Sequence, residues 1–242
     1  SSNIGVAKTI LKGYEKNPTK YVEGLYRIGL NEDLRLEIPG AGRAKIRRPD
    51  DTVRYWSKTA LPWMSFGYET QIPPIYTLAF YNAIANNGKM VRPIFTKEIM
   101  HNGKTVQSFS TEVIRESICS ERTLNMIKDM LLGVVEKGTG KAVHSDFVRI
   151  AGKTGTAYKV EGGQYVRKYV AGFAGYAPAH NPQIVVGIMI DEPMIGKHFG
   201  STAAAPLFSE MVSKTLRLMA VNPDRPEDFM VTKNDKKPAK AK

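Results

Sequence analysis

Beyond Gly140 the chain changes period, and that change limits the architectures open to it. Three runs, Val148 to Tyr158, Tyr169 to Ala177 and Ile184 to Asp191, are rich in Val, Ile, Tyr and Phe and are separated by Gly162-Gly163 and Asn181-Pro182. Such runs read as strands. Connections this short cannot hold a crossover helix, so the three strands are predicted to form an antiparallel meander. Helical patterns lie on either side. Ser120 is placed to cap a helix carrying Leu124, Ile127, Leu131, Val134 and Val135 and closed by Gly138. A last helix begins near Ala203, presents Leu207, Phe208, Met211, Val212, Leu216 and Met219, and stops at Asn222-Pro223. Helices, then sequential strands, then a closing helix predict an α+β fold rather than βαβ winding.

Upstream, Ile4, Ala7, Leu11 and Tyr14 recur at helical spacing behind polar Ser1 to Asn3, which can cap the orphan amides. Asn17-Pro18 breaks that helix, and a second is predicted from Tyr21 to Leu30, ending near Gly29. Between Asn31 and Trp63 periodicity fades among Pro39-Gly40, Gly42, a basic Arg43 to Arg48 run and Pro49-Asp50-Asp51, which reads as a long surface excursion. Pro73-Pro74 opens a helix with Ile75, Leu78, Ala79 and Ile84 inward, ending at Asn87-Gly88. Pro93 to Met100 and Val106 to Phe109 flank Asn102-Gly103, a hairpin signal.

With 242 residues, a single core is large enough to fold without a disulfide or structural metal. The lone Cys119 excludes a disulfide framework, and His101, His144, His180 and His198 lack the mutual spacing of a zinc site. No cofactor is expected. The net charge of +12 would suit nucleic acid, but five Lys against one Asp lie in the last ten residues, so that stretch alone supplies four charges. The tail from Lys233 to Lys242 holds no apolar residue larger than alanine and reads as a basic linker or disordered segment. No nucleic-acid partner is expected. No run of 18 apolar residues occurs.

Phosphate-binding motifs fail on spacing. Gly152-Lys153-Thr154 has Phe147 where a P-loop needs glycine, Gly140-Lys141 has Val135 there, and Gly138-Thr139-Gly140 meets Val143 where a dinucleotide fingerprint needs its third glycine. Lys153-Thr154-Gly155-Thr156 remains, on a predicted strand ahead of two others. It reads either as an ordinary edge strand bulged at Gly155, or as a place where Gly155 lets a substrate backbone pair as an added strand beside the positive Lys153.

At this point the chain resembles the penicillin-binding proteins and serine β-lactamases, marked by Ser-x-x-Lys, Ser-x-Asn and Lys-Thr-Gly. Ser1-Ser2-Asn3 looks like the second mark and Lys153-Thr154-Gly155-Thr156 like the third, about as far apart as in class B penicillin-binding proteins of the FtsI-like cell-division type. Ser65-Phe66-Gly67-Tyr68-Glu69, Asn86-Asn87-Gly88, Val134 to Gly140, Ala171 to Pro178 and Ala204-Ala205-Pro206-Leu207-Phe208 extend the likeness to about residue 220. The first mark is missing: no Ser here has Lys three residues later. Thr9-Ile10-Leu11-Lys12 mimics its spacing but follows the second mark on a helical face, without a base and orienter around it.

The resemblance implies an antiparallel sheet flanked by helices, incomplete at the N-terminus, with 1–222 part of a transpeptidase domain and 223–242 a basic linker. The first strands would come from upstream, leaving a sheet edge exposed. It implies a D,D-transpeptidase that cross-links peptidoglycan stem peptides ending in D-Ala-D-Ala through an acyl-serine and is acylated by β-lactams. Ser1 would relay a proton, Asn3 would hold the substrate amide, Lys153 would hold Ser1 and bias the field, and Thr154, Gly155 and Thr156 would bind the substrate carboxylate and supply an oxyanion-hole amide. Without the nucleophile, this chain by itself would be inactive. A bacterial inner-membrane parent facing the periplasm, anchored by an N-terminal helix and partnered by a divisome glycan polymerase, is also implied. A serine β-lactamase or D,D-carboxypeptidase shares the marks, and a non-catalytic module of the same fold is the third reading.

Overall fold

A computed structural model describes residues 2–53, 55–194 and 198–225. The chain divides into two compact units between Leu124 and Asn125.

The first unit opens with α1 (Asn3–Tyr14), whose N-cap is Ser2, accepting the Gly5 amide at 3.1 Å. Asn17 caps α2 (Pro18–Arg27), where proline sits at the first helical position and sacrifices no hydrogen bond. The excursion that follows is less irregular than its sequence suggests. It contains β1 (Lys45–Ile46) and α3 (Ala60–Met64), and β1 pairs antiparallel with β2 (Thr70–Gln71). Ile46 and Met64 close over Val22 of α2, with Trp56 against them, so two short elements form because they bury apolar surface that no period announces. Ion pairs hold the rest: Arg115 to Glu32 at 3.0 Å, Arg92 to Glu37 at 2.5 Å, and Arg35 to Glu112.

α4 (Pro74–Ala85) buries Tyr76, Ala79, Ala83, Ile84 and Ala85, while Ile75 and Leu78 are half-buried. β3 (Met90–Val91) follows, then β4 (Glu98–His101) and β5 (Lys104–Ser108), joined by Asn102 and Gly103 at φ 49° and 76°, the two left-handed residues of a tight hairpin turn. β6 (Val113–Arg115) returns to pair with β3, a ladder the sequence patterns do not signal.

α5 (Glu121–Glu136) leads into the second unit, with Ser120 accepting the Thr123 amide at 3.3 Å. After a 3₁₀ turn at Lys141–Val143, the meander predicted from sequence forms as β7 (Ala151–Glu161), β8 (Gln164–Ala177) and β9 (Ile184–Asp191), antiparallel in that order. β7 lies three residues later than its sequence run, β8 begins earlier than its own, and the two meet at Gly162-Gly163. α6 (Ala204–Leu218) covers one face. Ile184, Val186, Ile188 and Ile190, alternate residues of β9, pack with Phe173 against Phe208, Val212 and Leu216, all three of which are sealed from solvent. The packing face of α6 is narrower than predicted: Leu207, Met211 and Met219 stay 44%, 43% and 48% exposed. Past α6, Asp224 accepts the Arg149 amide at 2.7 Å and buried Arg225 pairs with Glu136, so packed chain continues to that point. The Lys233 to Lys242 tail lies outside the described residues.

Candidate active site

β7 ends its sheet: β8 pairs with one edge, and among the described residues no strand pairs with the other. Lys153, Thr154, Gly155 and Thr156 occupy this open edge. Their register is unbroken, Lys153 opposite Ala174, Thr154 opposite Phe173, Gly155 opposite Gly172 and Thr156 opposite Ala171. The bulge envisaged at Gly155 is therefore absent there, and the irregularity falls between Tyr158 and Val160. Alternation puts both threonine hydroxyls in rows on the face of Phe173, and Lys153 on the other.

The Lys153 ammonium nevertheless reaches Thr154, donating to its carbonyl at 2.9 Å and to its Oγ1 at 3.0 Å. A lysine that folds round a strand edge in this way holds a positive charge beside a row of free backbone groups. Burial pushes the Lys153 pKa below the ordinary lysine value, because desolvation disfavours the charged form. The Thr154 Oγ1 also lies 3.2 Å from the Thr139 Oγ1, on the turn after α5.

Thr156 is held from another direction. Its Oγ1 accepts the Gly200 amide at 3.0 Å. Gly200 packs so tightly that a Cβ there would fall 2.5 Å from the Gly155 carbonyl oxygen and closer still to that of Gly172. Only glycine lets the segment before α6 rest on the strand backbone at this distance. Farther along the hairpin, Tyr158 packs on Tyr169 at 4.7 Å and Tyr169 stacks on His198 at 4.1 Å, with Phe199 next to it at 4.3 Å. Tyr158 and Phe199 are 49% and 56% exposed, so this aromatic tier flanks the Lys153–Thr156 edge without being sealed in the core.

Of the residues singled out from sequence, Lys153, Thr154, Gly155 and Thr156 thus share one open edge. Asn3 is the first residue of α1 in the first unit and is exposed, while Ser1 lies outside the described residues. The Thr9 hydroxyl donates to the Gly5 carbonyl at 2.9 Å, a bond within the helix that leaves it no nucleophile's surroundings. Thr139, Gly200 and the aromatic tier escaped the sequence reading. Thr139 was visible only as the middle of a Gly-Thr-Gly that failed as a nucleotide motif, and nothing in the local sequence of Gly200 announces its contact with Gly155.

Residues 1–213 match the family described as the penicillin binding protein transpeptidase domain. The probable peptidoglycan D,D-transpeptidase PenA of Neisseria flavescens is 30% identical over 229 residues, covering 93% of this chain and 52% of PenA. The chain therefore spans about half the length of that relative. Among solved structures, the apo transpeptidase domain of Burkholderia pseudomallei penicillin-binding protein 3 is 32% identical with a TM-score of 0.75, covering 93% of this chain and 64% of that one. Penicillin-binding protein 3 of Mycobacterium tuberculosis complexed with aztreonam is 27% identical with a TM-score of 0.74, covering 93% and 51%. By the match over residues 1–213, this chain belongs to the penicillin-binding protein transpeptidase domain family.

Proposed function

We propose that these residues form part of a peptidoglycan D,D-transpeptidase that works through an acyl-serine and is acylated by β-lactams. The carrying observation is the Lys153-Thr154-Gly155-Thr156 edge: the side of β7 that no strand among the described residues covers, with a cation and two anchored hydroxyls, suited to an extended peptide that ends in a carboxylate. The nucleophile is assigned to the serine of a Ser-x-x-Lys segment, which these 242 residues do not contain. Its oxygen attacks the penultimate D-Ala carbonyl. The peptide bond breaks, the terminal D-Ala leaves as its amine, and Ser1 relays the proton it needs. Asn3 donates to the substrate amide, the Thr156 backbone amide stabilises the developing oxyanion, and the Thr154 and Thr156 hydroxyls take the carboxylate. Lys153 supplies the positive field. The amine of a second stem peptide then displaces the serine, forming the cross-link and returning a proton to the serine oxygen. The parent is placed at the periplasmic face of a bacterial inner membrane, held by an N-terminal anchor and working in division beside a glycan polymerase.

Intact mass after incubation with a penicillin tests this, on the chain as given and on a form extended upstream through a Ser-x-x-Lys segment. An adduct on the extended form alone is expected. An adduct on the short chain would place a nucleophile within it, and no adduct on either would overturn the reading in favour of a non-catalytic module. Release of the adduct by water within seconds would instead favour a β-lactamase or carboxypeptidase.

A further inference from the structure

The sequence holds two Asn-Gly steps, and the fold treats them differently. Asn87-Gly88 follows α4 and Asn102-Gly103 forms the tip of β4–β5, with φ of 52° and 89° in the first and 49° and 76° in the second, so the letters match and the φ angles nearly coincide. The Gly88 amide donates to the Ala83 carbonyl at 2.7 Å, the Gly88 carbonyl accepts the Ile118 amide at 3.0 Å, and a Cβ on this buried glycine would come within 3.4 Å of the Ser117 Oγ. Gly103 has none of these holds. It is exposed, a Cβ on it would meet nothing within 4 Å, and its amide makes no hydrogen bond among the described residues. Beside it, the Asn102 Nδ2 lies 3.3 Å from the His101 Nε2.

Closing a ring from the Gly103 nitrogen to the Asn102 side-chain carbon needs a nitrogen with no bond to surrender, no Cβ in the way and a main chain able to turn. The tip supplies all three, since no residue of β4 or β5 is buried and little resists local opening. We infer that Asn102 is a site of spontaneous deamidation assisted by His101, and that Asn87 is not. The Gly103 nitrogen loses its proton to water and bonds to the Asn102 Cγ. The Cγ–Nδ2 bond breaks, and the protonated His101 imidazole hands the departing nitrogen the proton with which it leaves as ammonia. His101 regains a proton from solvent. Water then opens the cyclic imide at either carbonyl, giving aspartate or isoaspartate, so the net change is water in and ammonia out. Isoaspartate adds a methylene to the main chain of a two-residue turn, and with no core beneath them β4 and β5 lose their register. None of this chemistry depends on the proposed function.

The test incubates the upstream-extended protein at neutral pH and follows both sites by peptide mapping that separates asparagine, aspartate and isoaspartate. Asn102 is expected to convert at least about tenfold faster than Asn87, whose glycine must first break its hydrogen bonds in a local opening. In urea, where both turns are lost, the gap should close. His101→Ala, at an exposed position, should slow conversion of Asn102 several-fold in the folded protein and leave Asn87 unchanged. Equal rates at the two sites in the folded protein, or no conversion at Asn102, would overturn the inference. A gap of the same size in urea would do so too, by tracing the difference to neighbouring residues rather than to the fold. An unchanged rate in His101→Ala would remove the histidine from the mechanism.

Discussion

Two hairpins in this chain use similar turn chemistry to different ends. β4–β5 turns on Asn102-Gly103 and β7–β8 on Gly162-Gly163, and all four turn residues sit in the left-handed region. Every residue of β4 and β5 is exposed, including Ile99, Met100 and Val106, whereas β8 buries Ala171, Phe173, Tyr176 and Ala177. Both ladders slip once, but the slip in β7–β8 falls near the tip and the one in β4–β5 falls mid-strand. In the first hairpin the turn and a surface hydrogen bond, the Thr105 hydroxyl donating to Glu98 at 2.7 Å, set the pairing without a core. In the second, α6 penalises any shift, because moving one residue would carry Phe173 out of the core. A site built from consecutive side chains needs that penalty, and the Lys153–Thr156 edge lies on the hairpin that has it.

The contrast can be broken at its strongest point. Phe208, sealed from solvent and 4.5 Å from Phe173 between ring centroids, links helix and sheet. Phe208→Ala should cost about 3–5 kcal/mol, read from the urea midpoint of the chain. A loss under about 1 kcal/mol would mean that α6 does not fix the register. Next comes Gly200→Ala. The added methyl would push Gly155 and Thr156 out of line, and acylation of the upstream-extended protein should fall about 100-fold, the cost of a displacement on the order of an ångström. An unchanged rate would detach this contact from the site.

Lys153 gives a smaller, pH-dependent effect. Because its pKa is lowered by burial, the folded chain releases that proton at a lower pH than the unfolded chain does. Between the lowered value and the ordinary lysine value the unfolded state binds more protons, so this group's contribution to stability rises with pH across that window. Acylation should fall over the same window as the cation is lost. Lys153→Met should abolish the rise in stability, and persistence of that slope in the variant would show that another group causes it. Smallest of all, Val106→Thr on the exposed hairpin should change stability by no more than about 0.5 kcal/mol, and a larger loss would reveal a contact that covers β5.

The three-stranded meander and the residues of its edge were legible because each rests on a local signal: period two, short turns, and a four-residue motif. α1, α4 and α5 were legible through their caps and spacing. β1, α3 and the β3–β6 ladder were not, since Ile46, Met64 and Met90 are buried by partners far away in sequence and too short a run surrounds each to show a period. α6 was found, but its packing face was drawn too wide, because Leu207 and Met211 look no different in sequence from Phe208 and Val212. Thr139 and Gly200 were missed for the same physical reason. What distinguishes them is a contact across 15 and 44 residues, made by a hydroxyl in one case and by the absence of a side chain in the other.

The excursion after α2 has a consequence for how such a chain can diverge. Glu32, Arg35 and Glu37 tie its first part to Arg115, Glu112 and Arg92, and Arg47 ties its later part to Glu69 at 2.6 Å. Between these knots, Ile38 to Ala44 includes Pro39-Gly40 and no buried residue. Doubling a loop costs only about 0.6 kcal/mol in closure entropy. New residues can therefore be inserted between the knots while β1 stays in register with β2, so that members of such a lineage can lengthen or rewrite this surface and leave the remainder of the chain as it is.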